Sequence, residues 1–226
     1  VLITLNTAQL ISQGKMKSNC ADIRITDTDQ STKLKYWIQS GCNTSSTKIW
    51  VRVPSIPKQS TKTIYLFYGN PNLSSESNGS AVFDSYSETK QSCCYADGCS
   101  VTLSFPGGQR RLAPYGNFYL TTWGEGDLNS SSEYVDIYHD GHYYTSACER
   151  HHCFQCGGCW QTFYSNANVT SYAKDGLFEI KGDASSSVNA FCGWLCYNHA
   201  LALKSKLTGY SRKYIPPEPT VSVGAE

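Results

Sequence analysis

The densest chemistry in the chain is the tract HHCFQCGGC, from His151 to Cys159. Its C-x2-C-x2-C spacing beside two histidines would suit zinc, because thiolates and imidazoles a few residues apart can close on one ion. The same cysteines would suit disulfides. The chain holds 11 cysteines in 226 residues, a density rare where thiols are kept reduced, and one that points to an oxidising, extracellular location. The cysteines are therefore read as staples rather than as a metal site. Cys20 and Cys42 stand apart from the others and are expected to pair, closing a loop across two strands worth roughly 3 kcal/mol. The rest are Cys93, Cys94, Cys99, Cys148, Cys153, Cys156, Cys159, Cys192 and Cys196. The neighbours Cys93 and Cys94 are expected to reach different partners. An odd total leaves one thiol over, or one bond to a neighbouring molecule.

A second cluster is acidic. Glu125, Asp127, Glu133 and Asp136 lie in WGEGDLNSSSEYVDIYH. Paired carboxylates can hydrolyse glycosides when held at the right separation, and Asp127, Glu133 and Asp136 could offer oxygens to calcium. Glu133 and Asp136 have opposite strand parity, which weakens a shared site. No G-x-S-x-G motif occurs. Cys153 beside His151 and His152 is read as a staple before a nucleophile. No Gly-rich loop opens a helix, so nucleotide binding has no support. No catalytic residue, resident metal or cofactor is expected, and the chain is not read as an enzyme.

N-x-S/T sequons stand at Asn43, Asn72, Asn78, Asn129 and Asn168. All fall in expected loops or strand edges, where a glycan is tolerated. With 12 Asn, 29 Ser and 18 Thr in the chain, some sequons arise by chance, and the same pattern fits an unglycosylated Ser/Thr-rich protein.

The elements that must carry these groups are strands. Ile23 and Ile25, then Leu34, Tyr36 and Ile38, then Ile49, Val51 and Val53, then Ile64, Leu66 and Tyr68 alternate with polar residues, the pattern of half-buried strands. Val1–Leu5 is a further short apolar run. Later runs are 118–123, 133–139, 177–181, 187–192 and 199–207, the last read as a strand over a helix. Asp140-Gly141 between two strand-like runs predicts a type I′ hairpin, since that turn needs positive φ at both centres. TVSV at 220–223 is expected as a final strand behind Pro216, Pro217 and Pro219. The fold class is thus all-β: two disulfide-stapled β-sandwich, jelly-roll-like domains. Composition shifts after NPNLSSESNGS (70–80), which sets the domains at 1–84 and 85–226, the latter with a tail at 214–226. Net charge is +1 and 16% of residues are charged, so electrostatic nucleic-acid binding is disfavoured. No apolar run reaches membrane-spanning length.

The stretches ADIRITDTD (21–29), LKYWIQSG (34–41), IWVRVPSIPKQSTKTIYLFYGNP (49–71) and SNGSAVFD (77–84) together make residues 1 to about 84 resemble one family, domain of unknown function 2341. The closing PEPTVSVGAE is similar to the last strand of such proteins, after an inserted or appended lectin-like sandwich. The resemblance implies a β-sandwich in secreted or cell-surface proteins, and no catalytic residues. Members of that family carry a strand-bearing segment before the position of Val1. A sandwich lacking that strand leaves an open sheet edge, which invites another chain.

These observations predict a structural subunit of an extracellular, glycosylated helical filament, a pilus-like surface appendage built from copies of itself. Val1, Leu2 and Ile3 would form the accepting edge, and Thr220, Val221, Ser222 and Val223 the donated strand. A head-to-tail contact of this kind generates a helix. The competing reading is a secreted carbohydrate-binding module, a lectin or adhesin with glycan partners, whose candidate stacking residues are Trp160 and Trp194; Trp37 and Trp50 are read as core.

Overall fold

In the computed structural model the described residues are 1–95, 99–105, 110–126, 134–148, 161–172, 177–183, 200–214 and 216–224. The expected run at 187–192 lies outside them. The chain forms two compact units. Unit 1 is Val1–Asp84 with Ala113–Gly116 and Tyr214–Glu226, and unit 2 is Ser85–Leu112 with Asn117–Lys213. The tail, which follows the second unit in sequence order, thus groups with the first.

Unit 1 is a small sandwich. β1 (Leu2–Leu5), β4 (Thr47–Val51) and β3 (Tyr36–Ser40) make one antiparallel sheet in the order β1-β4-β3. β2 (Arg24–Thr26) and β5 (Tyr65–Phe67) make a second, which a bridge from Thr26 to Lys33 extends. Alternation turns Ile3, Tyr36, Ile49 and Val51 from the first sheet and Ile25 from the second into one core with Met16, Cys20, Ile23 and Leu34. The core is pinned by polar groups that find partners. Tyr36 donates its hydroxyl to the Ile23 carbonyl at 2.8 Å. The buried Asp22 carboxylate accepts the backbone N–H groups of Lys17 and, at 2.7 Å, Gly69. The expected disulfide is present and joins Cys20 to Cys42.

Two helices appear that hydrophobic periodicity does not announce. α1 (Thr7–Ser12) is capped by the Asn6 side chain, which accepts from Gln9 N–H, and ends at Gly14 with φ +69°. α2 (Gly79–Val82) is capped in the same way by Asn78, which accepts from Ala81 N–H. Beside it Trp37, Trp50, Phe83 and Tyr115 form an aromatic cluster, with the Trp37 and Tyr115 ring centres 5.1 Å apart.

Unit 2 is a larger sandwich. One sheet is ordered β11 (His142–Cys148), β10 (Tyr134–His139), β13 (Leu177–Asp183), β7 (Cys99–Ser104). The other is ordered β12 (Gln161–Asn168), β9 (Tyr119–Gly126), β14 (Ala200–Lys213), β6 (Asp84–Tyr95), with β8 (Arg110–Leu112) also on β14. Leu103, Val135, Ile137, Phe178 and Ile180 from the first meet Leu120, Leu203 and Leu207 from the second in a single core. β10 and β11 are joined by Asp140 (φ +48°) and Gly141 (φ +80°), the turn expected from the sequence.

One expected element is absent. Residues 216–224 carry no strand, and all of them are exposed. A strand exists only where a ladder partner takes its N–H and C=O groups, and the prolines at 216, 217 and 219 offer no N–H.

Candidate functional site: the C-terminal arm and the edge of β1

Two features of unit 1 bear on the expected accepting edge and donated strand. The first is the outer edge of β1. Val1 N donates to the Val51 carbonyl and Val51 N–H to the Val1 carbonyl, each at 2.8 Å. In an antiparallel ladder such pairs recur every second residue. Ile3 and Leu5 therefore also turn their backbone groups to β4, opposite Ile49 and Thr47, and Leu2 and Thr4 turn theirs outward. Among the described residues no strand pairs with that side. The opposite edge of the same sheet is closed. Ile38 N–H donates to Ser77 Oγ and Asn78 N–H to the Tyr36 carbonyl, both at 2.9 Å. The outer edge of β5 also has no strand beside it among the described residues, but β5 is only three residues long.

The second feature is the arm. Val221 is 43% and Val223 57% exposed. They share parity, and Thr220 and Ser222 alternate with them, the pattern of a strand with one apolar face. Among the described residues no hydrogen bond joins Thr220–Gly224 to another segment. The arm carries a strand's sequence without a strand's partner.

The other expected groups are placed as follows. Asn43, Asn72, Asn78 and Asn168 are all exposed. Asn168 Oδ1 accepts from Thr170 N–H at 3.1 Å and from Thr170 Oγ1 at 2.6 Å, and Asn78 Oδ1 caps α2. Among the described residues no hydrogen bond uses the side-chain nitrogen of these four, the atom a glycan would join. Asn129 lies outside the described residues. So do Asp127, Glu133, Cys153, Cys156, Cys159, Cys192, Cys196, His151, His152, Trp160 and Trp194, and nothing is described of the side chains of Cys93, Cys94, Cys99 and Cys148. Asp136, the described member of the acidic trio, is buried on β10 and its Oδ1 accepts from Ser146 Oγ. No group of three or more potential metal ligands occurs among the described residues, and no helix there is long and apolar enough to cross a membrane.

The chain is thus an all-β protein of two sandwich units, with a disulfide in the first. Residues 19–96 match the model of the family described as Domain of unknown function (DUF2341), the family that the first third resembles in sequence. No curated protein matches. Among solved structures, the crystal structure of the infectious bursal disease virus VP2 subviral particle is similar over 85% of this chain and 56% of that one, at 8% identity and a TM-score of 0.32.

Proposed function

We propose that the chain is a structural subunit of an extracellular filament, joined head-to-tail by donation of the arm at 220–223 to the sheet edge of the next copy. The observation that carries this reading is the exposed, unpaired arm with its alternating valines. Adding a strand to an open edge satisfies backbone groups on both sides and buries Val221 and Val223. The outer edge of β1 supplies outward N–H and C=O groups at Leu2 and Thr4 for this purpose. Donor and acceptor are different surfaces, so the contact is heterologous and propagates into an open helix unless the rotation happens to close a ring. The Cys20–Cys42 disulfide supports an oxidising compartment. The exposed sequons at Asn43, Asn72, Asn78 and Asn168 support glycosylation.

The test is electron imaging of native, unreduced material, followed by helical averaging. Filaments with a strand of density crossing between subunits are expected. Replacement of Val221 and Val223 by Asp should leave the folded subunit but abolish the filament. Compact monomers at high concentration, with the arm folded onto its own unit, would overturn the proposal.

A further inference from the structure

The outer face of the β12-β9-β14 sheet in unit 2 is not an ordinary solvated face. Its registers align Tyr164 with Trp123 and Lys204, then Asn166 with Thr121 and Lys206. These residues face away from the core, because Leu120, Thr122, Leu203, Ser205 and Leu207 between them are buried. Tyr164 is 69% exposed. The Lys204 ammonium lies 5.5 Å from the centre of the Trp123 ring. Thr121 Oγ1 donates to Asn166 Oδ1 at 3.0 Å. No Asp or Glu stands in these two rows or in the next toward Asn168, Tyr119 and Thr208; on the other side, the row beyond Trp123 aligns Glu125 with Thr162 and Ala202, so the acid-free stretch runs from Trp123 to Tyr119. Lys204 and Lys206 form no ion pair with a described carboxylate.

We propose that this face binds an acidic polysaccharide, one whose sugar rings carry carboxylates. The inference does not rest on the filament reading. The ring faces of Trp123 and Tyr164 present flat apolar surface to the C–H face of a pyranose. Lys204 and Lys206, neighbours two residues apart on one strand, hold charge for carboxylates on successive sugars. The Asn166 amide and Thr121 hydroxyl both donate and accept, which suits ring hydroxyls. Tyr119 lies four residues from Trp123 on β9, about 13 Å along the strand, so the platform takes an oligosaccharide rather than one sugar. Single-stranded nucleic acid also stacks on aromatics, but its binding depends on neutralising a run of phosphates, and two lysines with a net charge of +1 are few for that. The sequon at Asn168 aligns with Tyr119 and is four residues from Tyr164 on β12, again about 13 Å away, so a glycan there borders the Tyr119 end and leaves the Trp123 end uncovered.

The experiment is affinity electrophoresis of the full chain through gels containing polygalacturonate, with hydroxyethylcellulose as the neutral gel and labelled oligothymidylate as competitor. Retardation by polygalacturonate is expected, and about tenfold weaker retardation by the neutral polymer. Lys204→Gln/Lys206→Gln and Trp123→Ala should each weaken binding about tenfold or more. Tyr164→Ala changes a side chain mostly in solvent and keeps the test open should the Trp123 variant fail to fold. No retardation, equal retardation by the neutral polymer, or displacement by oligothymidylate at lower concentration than by free oligogalacturonate would each overturn the proposal.

Discussion

The ring of Tyr115 lies so close to the backbone of Gly79 that a Cβ built there would sit 2.0 Å from Cδ2 of the ring. Only glycine permits that approach. Tyr115 cannot easily yield, because Trp37 packs edge-on against it and Phe83 stacks on it with 6.3 Å between ring centres. Gly79→Ala is expected to lower the stability of unit 1 by about 1–3 kcal/mol through overpacking. Chemical denaturation measures it. Gly79→Ala combined with Tyr115→Ala should cost less than the sum of the two single changes, since the clash is shared; strict additivity would contradict the contact.

The Cys20–Cys42 bond closes a separation of 22 residues. Restricting the unfolded chain in this way is worth roughly 3 kcal/mol. Cys20→Ala/Cys42→Ala should therefore melt at lower temperature than the parent without changing the strands, as followed by scanning calorimetry and circular dichroism. A variant as stable as the parent would mean that the unfolded chain gains little freedom when the bond is removed.

Much of unit 1 is readable without coordinates, because short strands with one buried face leave period-two alternation in the sequence. Ile23 and Ile25, or Ile49 and Val51, announce themselves in this way; in unit 2 the turn at Asp140-Gly141 is announced by its residue types instead. α1 does not. Six residues are too few for helical periodicity, and its signals are only the cap at Asn6 and the stop at Gly14. The tail misleads for the opposite reason. TVSV has a strand's pattern, but a strand also needs a partner, and pattern does not report partners. The sheet face carrying Trp123 and Lys204 is invisible in sequence, since its rows come from three strands brought into register only by folding.

Acid should destabilise unit 1. Glu76 is held below its ordinary value chiefly by the hydrogen bond from Lys33, with the charges of Arg24, Lys33 and Lys35 adding and burial opposing. Asp29 is lowered by the Thr32 hydroxyl and by the N–H groups of Thr32 and Ser31, and Asp27 by Lys62 and then Thr28. A carboxylate depressed in the folded state stabilises above its unfolded value, and that contribution is lost as pH falls through the folded value. The melting temperature should be steady from neutrality to about pH 5 and fall below about pH 4. Glu76→Gln should flatten part of that fall. A melting temperature that rises on acidification would contradict the assignment.

Asn78 serves two possible ends with different atoms. Its Oδ1 caps α2, and its side-chain nitrogen is the sequon's acceptor. Asn78→Asp keeps the cap and removes the sequon, so it should leave stability unchanged. Asn78→Ala loses both and should cost about 1 kcal/mol. Equal loss in the two variants, measured on protein lacking glycans, would show that the cap contributes nothing.

The division of the chain has a practical consequence for anyone cutting it. Unit 1 is assembled from three separate stretches, with unit 2 threaded between them. A recombinant fragment ending at Asp84 would omit Tyr115 and strip one wall from the cluster around Trp37 and Phe83. It would also omit the arm, so its failure to polymerise would not test the proposed strand donation. A clean excision goes the other way: replace 85–112 and 117–213 by short linkers and retain 113–116 and 214–226. Such a minimal chain would isolate joining from whatever the larger sandwich displays to the surroundings.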